Sequence, residues 1–381
     1  MNAAASSSQA SPSSASFSPA SFSPASFAQD YVEARVKFLA ATEAAGLGVE
    51  THAHPLRGRD GELLALDAVL EGNRAAQTLL IVSSACHGVE GYCGSGIQVS
   101  LLNDPAWHDA VRASGSAVLY LHALNPYGFS WWRRTTQENV DLNRNFHDFS
   151  KPLPANPRYD EIAHLLVPRT WPPTPDVNGA LARFMATHGE RGFQEAVSGG
   201  QYQHPEGLFY GGRNPTWSHV TLRHVLQQHG TRCERLVWID LHTGLGPSGV
   251  AELISACPNE DVAALQRARQ WWGAGVTSLA DGTSVSAPLQ GLMWQAVLQE
   301  CAQAEYTGIA MEYGTVPVLD VINALRADQW LENHPETDAS IARALKRQVR
   351  DAFYTDTDAW KTQVLSQAHD TARKALRGLA G

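Results

Sequence analysis

The residues best suited to chemistry come directly after an apolar run. Residues 78–82 are apolar enough to form a buried strand, and His87 and Glu90 follow them, three positions apart. Imidazole nitrogens and carboxylate oxygens are ligands that zinc accepts. Of the fifteen histidines in the chain, only His87 has a glutamate at the third following position. The pair therefore indicates either part of a metal site or a polar turn that caps the next helix.

Two later strand ends carry groups of the same kind. His242 follows the apolar run 235–241, and Asp240 lies two residues earlier, on the same face of the strand. Glu312 ends the run 308–312, where burial should raise the pKa of its carboxyl toward the range of a general base. His242 is suited to be a third metal ligand, with Asp240 supporting it from behind. A hydrogen-bonded core histidine and a structural salt bridge are the alternatives.

Cationic and amide side chains follow another buried strand, residues 117–124. Arg133 and Arg134 come after two tryptophans, on which an arginine often stacks for structural reasons. Asn143 and Arg144 form a compact receptor for an anion, because a guanidinium holds a carboxylate with two hydrogen bonds and the amide adds a donor. A capped turn held by salt bridges is the alternative reading of this pair.

The elements that must position these residues alternate along the chain. Residues 29–46 and 92–103 fit helices, residues 57–61 fit a hairpin turn, and residues 251–256 fit a further strand. Further helical patterns occupy about 158–166, 176–189, 216–229, 260–275, 287–303, 318–333 and 338–375. Strands that alternate with helices predict an α/β sheet with helices on both faces. In such sheets a site forms at the carboxyl ends of the strands, where all the candidate residues lie.

Composition excludes several classes of function. The formal charge of −9 without a basic block disfavours a nucleic acid or an anionic membrane as partner. No apolar segment approaches the roughly 18 residues of a membrane span. Five scattered cysteines without Cys-x-x-Cys spacing argue against a disulfide framework. No Lys or Arg precedes Arg35 and the N-terminus has no apolar core, so we expect no secretory signal and a cytoplasmic protein.

The first 28 residues differ from the rest of the chain. They are mostly Ala, Ser and Pro, with too little apolar surface to offset the entropy of ordering them. We therefore predict a disordered tail over 1–28 and a single domain over 29–381.

Six short motifs occur in an order that is more specific than any one of them. They are His-Gly-x-Glu-Gly, Asn-Pro-x-Gly-Phe, Trp-Arg-Arg-Thr, Asp-Leu-Asn-Arg-Asn-Phe, Asp-Leu-His-Thr-Gly and Glu-Tyr-Gly-Thr. In this order the chain resembles the zinc carboxypeptidase superfamily, which includes aspartoacylase and succinylglutamate desuccinylase. It is most similar to an uncharacterised bacterial, carboxypeptidase-like branch known as a domain of unknown function. The resemblance covers about residues 30–335.

The resemblance implies a fold and a set of roles. The expected fold has three layers, α/β/α, around a mixed, mostly parallel twisted sheet, as in zinc exopeptidases. His87, Glu90 and His242 would hold one Zn²⁺ and leave a position open for water. Glu312 would deprotonate that water and later protonate the leaving amine. Arg133 would polarise the scissile carbonyl and hold the oxyanion, with Arg134 as its competitor.

The same resemblance implies that Asn143 and Arg144 bind a substrate carboxylate. It also implies a mobile tyrosine over the substrate, for which Tyr202, Tyr210 and Tyr313 are the candidates. The aromatic, Gly-rich segment 201–212 is interpreted as a specificity wall, with an ordered surface loop as the alternative. Cys86 directly precedes His87, which raises a thiolate ligand as an alternative. Strand alternation places it on the opposite side and favours an inert buried thiol.

The leading hypothesis is a zinc-dependent hydrolase that cleaves an amide bond next to a free carboxylate, in a small peptide or an N-acyl amino acid. Carboxypeptidase action and deacylation of the aspartoacylase type both satisfy the residues. A non-catalytic zinc- or peptide-binding protein is a further alternative, although binding alone needs neither Glu312 nor Arg133. A serine hydrolase has no support, because the chain has no Gly-x-Ser-x-Gly motif. The sequence does not indicate an oligomeric state.

Overall fold

A seven-stranded mixed sheet forms the centre of the computed structural model, which describes residues 23–284 and 287–381. Its strands are β1 Val49–Arg57, β2 Leu63–Glu71, β3 Thr78–Ser83, β4 Ala117–His122, β5 Arg235–Ser248, β6 Ala251–Ser255 and β7 Glu305–Gly314. They lie in the order β1-β2-β4-β3-β5-β7-β6. The four central strands β4, β3, β5 and β7 are parallel, whereas β2 and β6 pair antiparallel to their neighbours. The carboxyl ends of the four parallel strands therefore meet at one edge of the sheet.

Helices cover both faces of this sheet. They are α1 Tyr31–Ala44, α2 Gly91–Leu102, α3 Pro105–Ser114, α4 Pro126–Ser130, α5 Pro157–Leu166, α6 Pro175–Ser198, α7 Trp217–His229, α8 Val262–Trp272, α9 Gln295–Glu300, α10 Val318–Glu332, α11 Ala339–Phe353 and α12 Asp358–Ala380. Strand alternation divides the core. Leu80 and Val82 pack with α1, α2 and α12, whereas Leu79 and Ile81 pack with α7 and α9. The predicted three-layer α/β/α fold is confirmed.

Three of the predicted helices differ from the structure. The pattern 176–189 extends to Ser198 as α6, past Gly189, which has non-helical dihedral angles. Within the pattern 287–303 only α9 is helical, and the residues before it line a cavity described below. The pattern 338–375 is two helices, α11 and α12, because the chain is extended at Tyr354 and Thr357 caps the second helix. Tyr354 is buried beneath Trp360, so core packing interrupts a periodicity that would otherwise continue.

The last residues of the predicted disordered tail, 1–28, are folded. Residues 1–22 of it lie outside the described residues. Phe27 and Ala28, however, are buried in the core, where Phe27 stacks on Tyr354. Burial of this aromatic ring offsets the entropy of ordering the last residues of the segment.

Two further expectations can be compared with the structure. All five cysteines are buried and free. None of the described helices is long and apolar enough to cross a membrane.

Candidate metal and catalytic site

The first pair of candidate ligands lies on a short 3-10 turn, Gly88–Glu90, between β3 and α2. Two backbone hydrogen bonds hold this turn: Val89 donates to the Arg133 carbonyl at 2.8 Å, and Gly88 to the Arg134 carbonyl at 3.2 Å. A Cβ atom on Gly88 would overlap the backbone of Gly128. The glycine of the His-Gly-x-Glu motif is therefore needed for close approach of two backbones.

Strand register brings the other two candidates to the same place. His242 of β5 and Glu312 of β7 are directly opposite each other in the parallel ladder, so their side chains share one face of the sheet. His87, Glu90 and His242 then converge, with ligand atoms that all lie within 4.8 Å of one another and all three residues buried. The four candidates come from the ends of three separate strands, in agreement with the expectation that a site forms at the carboxyl ends of the strands of an α/β sheet.

His242 is held between two carboxylates. Its Nδ1 lies 3.2 Å from Glu90 Oε2, and its Nε2 lies 2.6 Å from Asp240 Oδ2. Burial by itself lowers the pKa of His242, but Asp240 and Glu90 outweigh burial and raise it well above its usual value. Asp240 also accepts a hydrogen bond from Ser83 at 2.6 Å. It is thus fixed in the position of a carboxylate that orients a metal-binding imidazole.

His87 has the opposite electrostatic character. Burial, followed by the neighbouring Arg134, lowers its pKa well below the usual value, so the imidazole is neutral and able to act as a ligand. Its Nδ1 is 3.4 Å from an oxygen of Asp141, but with no geometry for a hydrogen bond, and it has no other partner among the described residues. An orphaned buried nitrogen is costly. Together with a second imidazole and a carboxylate it forms a donor set that fits Zn²⁺.

The two adjacent arginines take different places. Arg134 lines the cavity beside the candidate ligands, with Nη2 2.7 Å from His87 Nε2 and Nη1 3.0 Å from Glu90 Oε1. Its Nε donates to Asp141 at 3.0 Å. Arg133 does not line the cavity and instead pairs with Asp328 at 3.1 Å and Glu332 at 3.3 Å. The structure therefore brings Arg134, and not Arg133, to the ligand set.

Arg144 is a buried cation without a carboxylate partner. Its guanidinium donates to the backbone carbonyls of Ser198, at 2.7 and 3.2 Å, and Asn143, at 2.8 Å. No carboxylate of the described chain forms a salt bridge with it, although it lines the cavity and is 2% exposed. Burial lowers its pKa, while Asp141 opposes that effect.

Asn143 lines the cavity next to Arg144. Its Oδ1 accepts from the Met293 N–H at 2.8 Å, which identifies the oxygen of the amide and leaves Nδ2 to donate. In the part of the chain that the structure describes, Nδ2 has no acceptor. The predicted anion receptor therefore has donors from two side chains at one wall.

Glu312 is a buried carboxyl close to the ligand set. Burial, and then the charge of Glu90, raise its pKa to about 7. Its Oε1 accepts from the Leu245 N–H at 3.0 Å, which holds the side chain in place. A carboxyl with this pKa can both accept and return a proton near neutral pH.

The site opens into a cavity of about 170 Å³ with mostly apolar walls. Its apolar lining includes Ile254, Leu279, Leu289, Leu292, Val318, Val321, Ile322, Leu325 and Phe353. From the segment 201–212, Phe209 lines the cavity, and its ring lies 5.2 Å from the Arg134 guanidinium and 5.8 Å from that of Arg144. This ring is the contribution of that segment to the wall.

The three tyrosines considered for a lid lie elsewhere. The Tyr202 hydroxyl donates to the Arg144 carbonyl at 2.8 Å. Tyr313 is on the opposite face of the sheet and donates to the Val364 carbonyl at 3.2 Å. Tyr210 is buried and its own carbonyl accepts from Asp141. None of the three lines the cavity.

Cys86 is buried as predicted, but it is not remote from the site. Its ligand atom lies within 4.8 Å of those of Asp240 and His242. The alternation rule does not apply here, because β3 ends at Ser83 and Ala85 adopts a left-handed backbone with φ 58°. Burial raises the pKa of the thiol well above its usual value, which keeps it protonated and disfavours it as a ligand.

Comparison with protein families gives one match that covers most of the chain. Residues 27–367 match the family described as Protein of unknown function (DUF2817). The chain belongs to the DUF2817 family. The predicted relationship to a domain of unknown function is thereby confirmed. No curated protein matches this DUF2817 chain.

Several solved structures are similar to the DUF2817 chain in fold. Carboxypeptidase A from Helicoverpa armigera is 12% identical, with 92% of this chain and 73% of that chain covered and a TM-score of 0.48. Bovine thrombin-activatable fibrinolysis inhibitor, in complex with tick carboxypeptidase inhibitor, is 11% identical, with 91% and 99% covered and a TM-score of 0.44. A metallo-carboxypeptidase from Pseudomonas aeruginosa is 14% identical, with 88% and 69% covered and a TM-score of 0.39. Overlaps of this size do not carry a function to this chain.

Some residues of the site have no distinct signal in the sequence. Asp141 belongs to the quoted Asp-Leu-Asn-Arg motif, but its pairing with Arg134 depends on tertiary contact. The wall residues Leu289 and Leu292 lie in a stretch with a helix-like apolar pattern, which concealed their role.

Proposed function

We propose that this DUF2817 chain is a zinc-dependent hydrolase that cleaves an amide bond next to a free carboxylate, in the manner of a metallocarboxypeptidase. The observation that carries the proposal is the convergence of His87, Glu90 and His242 beside Glu312, with an unpaired buried guanidinium, Arg144, in the same cavity. His87, Glu90 and His242 would hold one Zn²⁺ per chain. When bound, zinc supplies Lewis acidity and lowers the pKa of a water molecule toward ~7.

Arg144 and Asn143 would bind the free carboxylate of the substrate. The guanidinium of Arg144 donates to backbone carbonyls and forms no salt bridge with a described carboxylate, and an incoming carboxylate would provide that partner. The charge-assisted hydrogen bonds that form would orient the substrate with its scissile bond toward the ligand set. This is the physical basis for selecting substrates with a free carboxylate.

Glu312 would move the proton. At a pKa of about 7 its carboxylate can take the proton of the attacking water and then give it to the nitrogen of the leaving amine. Backbone donation from Leu245 to Oε1 fixes the carboxyl on the face of β7 that it shares with His242. Proton transfer of this kind contributes about 10²–10⁴-fold to a rate.

Arg134 would stabilise the negative charge that develops on the carbonyl oxygen. It lines the cavity beside Glu90 and His87, whereas Arg133 and its partners Asp328 and Glu332 all lie outside the cavity. A preorganised cation in a buried site is worth a few kcal/mol in such a step. The oxyanion role is therefore assigned to Arg134.

The apolar walls favour an apolar side chain on the residue that carries the free carboxylate. A charged side chain placed among Leu292, Val318 and Ile322 would lose its hydration without a partner. A small peptide and an N-acyl amino acid can both present such a group. A mass-spectrometric screen of short peptides beside N-acyl amino acids distinguishes peptidase from deacylase action.

Metal analysis followed by the Glu312→Gln variant tests the proposal. The purified chain should bind one zinc per molecule, lose turnover on chelation and regain it with added zinc. Glu312→Gln should keep the metal and lose 10²–10⁴-fold in kcat/KM. Glu252→Gln is the matched control, because Glu252 is opposite Glu312 on β6 but does not line the cavity. Full turnover after chelation, or full turnover of Glu312→Gln, would overturn the proposal.

A further inference from the structure

Arg133 belongs to a cluster of balanced charge in which Arg133 and Asp328 are buried, whereas Lys346 is partly exposed and Glu332 is exposed. Its guanidinium donates to Asp328 at 3.1 Å and contacts Glu332 at 3.3 Å. Lys346 of α11 pairs with the same two carboxylates, at 2.6 and 2.7 Å. Burial would raise the pKa of Asp328, but Lys346 and Arg133 outweigh burial and hold it below its usual value. Two cations and two anions thus neutralise one another around α10.

The backbone of the same segment supports the candidate ligands. The Arg133 carbonyl accepts from the Val89 N–H, and the Arg134 carbonyl accepts from Gly88. The Arg133 N–H in turn donates to the Gly128 carbonyl at 2.7 Å, and Gly128 is the residue against which Gly88 packs. The turn Gly88–Glu90 is therefore hydrogen-bonded to the backbone of the residue whose side chain belongs to the charge cluster.

A third connection runs through Asn139, which has a left-handed backbone with φ 60°. Its Oδ1 accepts from Arg133 Nη2 at 3.0 Å. Its Nδ2 donates to the carbonyls of Pro205 and Gly207, at 2.8 and 3.0 Å. Those residues precede Phe209, whose ring lies over the guanidinium of Arg134. Arg133 therefore contacts three parts of the fold. Its carbonyl accepts from the metal-ligand turn, and its guanidinium contacts α10 and Asn139, which holds the segment that carries Phe209.

We propose that Arg133 is a positioning residue that ties α10, a wall of the substrate cavity, to the turn that carries His87 and Glu90. We call the charged group around Arg133 the anchor cluster; its members are Arg133, Asp328, Glu332 and Lys346. The anchor cluster holds the turn in the position in which His87 and Glu90 lie beside His242. The inference rests on the proposed function only in giving those side chains a metal to bind. Loss of the Arg133 side chain should therefore loosen the turn even in the metal-free protein, because it breaks the connection between α10 and the turn.

A second buried Arg–Asp ion pair separates a positioning role of Arg133 from the general loss of stability when a salt bridge is removed. Arg35 of α1 forms a comparable ion pair, 2.7 Å from the fully buried Asp67 of β2, and neither residue lines the cavity. Arg35→Met should reproduce the loss of a buried salt bridge without disturbing the turn. A purely structural role for Arg133 predicts the same result for both variants.

Amide hydrogen exchange of the metal-free, full-length chain is the deciding measurement. Arg133→Met should accelerate exchange of the Gly88 and Val89 amides by tenfold or more, whereas Arg35→Met should leave them at the wild-type rate. Arg133→Lys keeps the charge but loses the fork of donors, so intermediate acceleration is expected. If Arg133→Met does not fold, the exchange rates of Arg133→Lys test the inference in its place. Wild-type exchange at both amides in a folded Arg133 variant would overturn the inference.

Zinc affinity, measured by competition with a chromogenic chelator, gives the second readout. Loss of a residue that supports metal ligands typically weakens binding 10- to 100-fold, so we expect at least a tenfold loss in Arg133→Met and none in Arg35→Met. An equal zinc affinity in wild type and Arg133→Met would count against the inference. If the wild-type chain binds no zinc, the proposed function fails, while the exchange result still decides on the anchor cluster.

Discussion

Arg133 and Arg134 are neighbours in the chain, both buried and both paired with carboxylates, yet they belong to different regions. The partners of Arg133 are Asp328 and Glu332, in the anchor cluster outside the cavity. Arg134 has Glu90 and Asp141 as partners, beside His87 and the cavity. The comparison teaches that burial and charge compensation do not identify a catalytic arginine. What separates the two is whether the neighbouring groups face the space that a substrate would enter.

Replacing each arginine in turn should give the largest contrast. Arg134→Met should lower kcat/KM by about 10²–10³-fold even at saturating zinc, because it removes the cation that we propose stabilises the developing oxyanion. Arg133→Met should lose activity mainly through weaker metal binding, so saturating zinc should restore most of it. Titration of activity against free zinc measures the difference. Equal residual activities of Arg133→Met and Arg134→Met at saturating zinc would contradict the different roles proposed for the two arginines.

The pH dependence of stability should distinguish the cavity side from the anchor cluster, because the pKa of Glu312 is raised whereas that of Asp328 is lowered. Burial, with the charge of Glu90, raises the pKa of Glu312 from 4.5 to about 7, so its carboxyl holds a proton more tightly in the folded than in the unfolded chain. The resulting stabilisation is fully present below about pH 4.5 and is lost as pH rises through about 7.

Urea unfolding of the metal-free protein at stepped pH checks this sign. Relative to Glu312→Gln, the wild type should lose on the order of 3 kcal/mol of unfolding free energy between about pH 4 and about pH 8. The Arg35→Met variant should show the same pH dependence as the wild type. A difference between wild type and Glu312→Gln that does not change with pH would contradict the assigned pKa.

Arg144→Met should affect substrate binding according to the charge of the substrate. Loss of a buried partner of a carboxylate costs about 2–3 kcal/mol, which predicts a 30- to 150-fold lower kcat/KM for substrates with a free carboxylate. The amidated forms of the same substrates should show no such loss.

A matched control exists for this variant on α10. Arg326 is also buried, also donates its guanidinium hydrogens to backbone carbonyls, those of Leu165 and Leu166, and does not line the cavity. Arg326→Met should therefore leave kcat/KM of the folded protein unchanged. Similar losses for free and amidated substrates in Arg144→Met would show that Arg144 does not bind the carboxylate.

The smallest effect is expected at the edge of the anchor cluster. Lys346 is 16% exposed, and Arg133 still pairs with Asp328 and Glu332 when it is absent. Lys346→Met should cost about 1 kcal/mol of unfolding free energy and leave exchange of the Gly88 and Val89 amides at the wild-type rate. Accelerated exchange would assign the effect to the charge balance of the cluster instead of the hydrogen bonds of Arg133.

Much of the fold was predictable because its signals are local. Apolar runs of five to eight residues identified β3, β4, β5, β6 and β7, and the rule that sites form at strand ends placed His242 and Glu312 on one edge. The segment before α9 was not predictable, because an apolar pattern on a cavity wall has the same spacing as a buried helix face. Similarly, the break between α11 and α12 depends on the packing of Tyr354, which no local pattern shows.

The sequence by itself determined which chemical groups are present, their order along the chain, and the strand ends at which they lie. It also determined that the fold is α/β, since the period of the apolar residues is a local property. Only the tertiary structure placed Arg134 on the cavity and Arg133 outside it, left Arg144 without a salt bridge to any described carboxylate, and placed Cys86 beside the ligand set. Adjacent side chains leave the backbone in different directions, and the partners that meet them come from segments as distant as α10. Such contacts depend on how the layers pack, which the spacing of residues does not record.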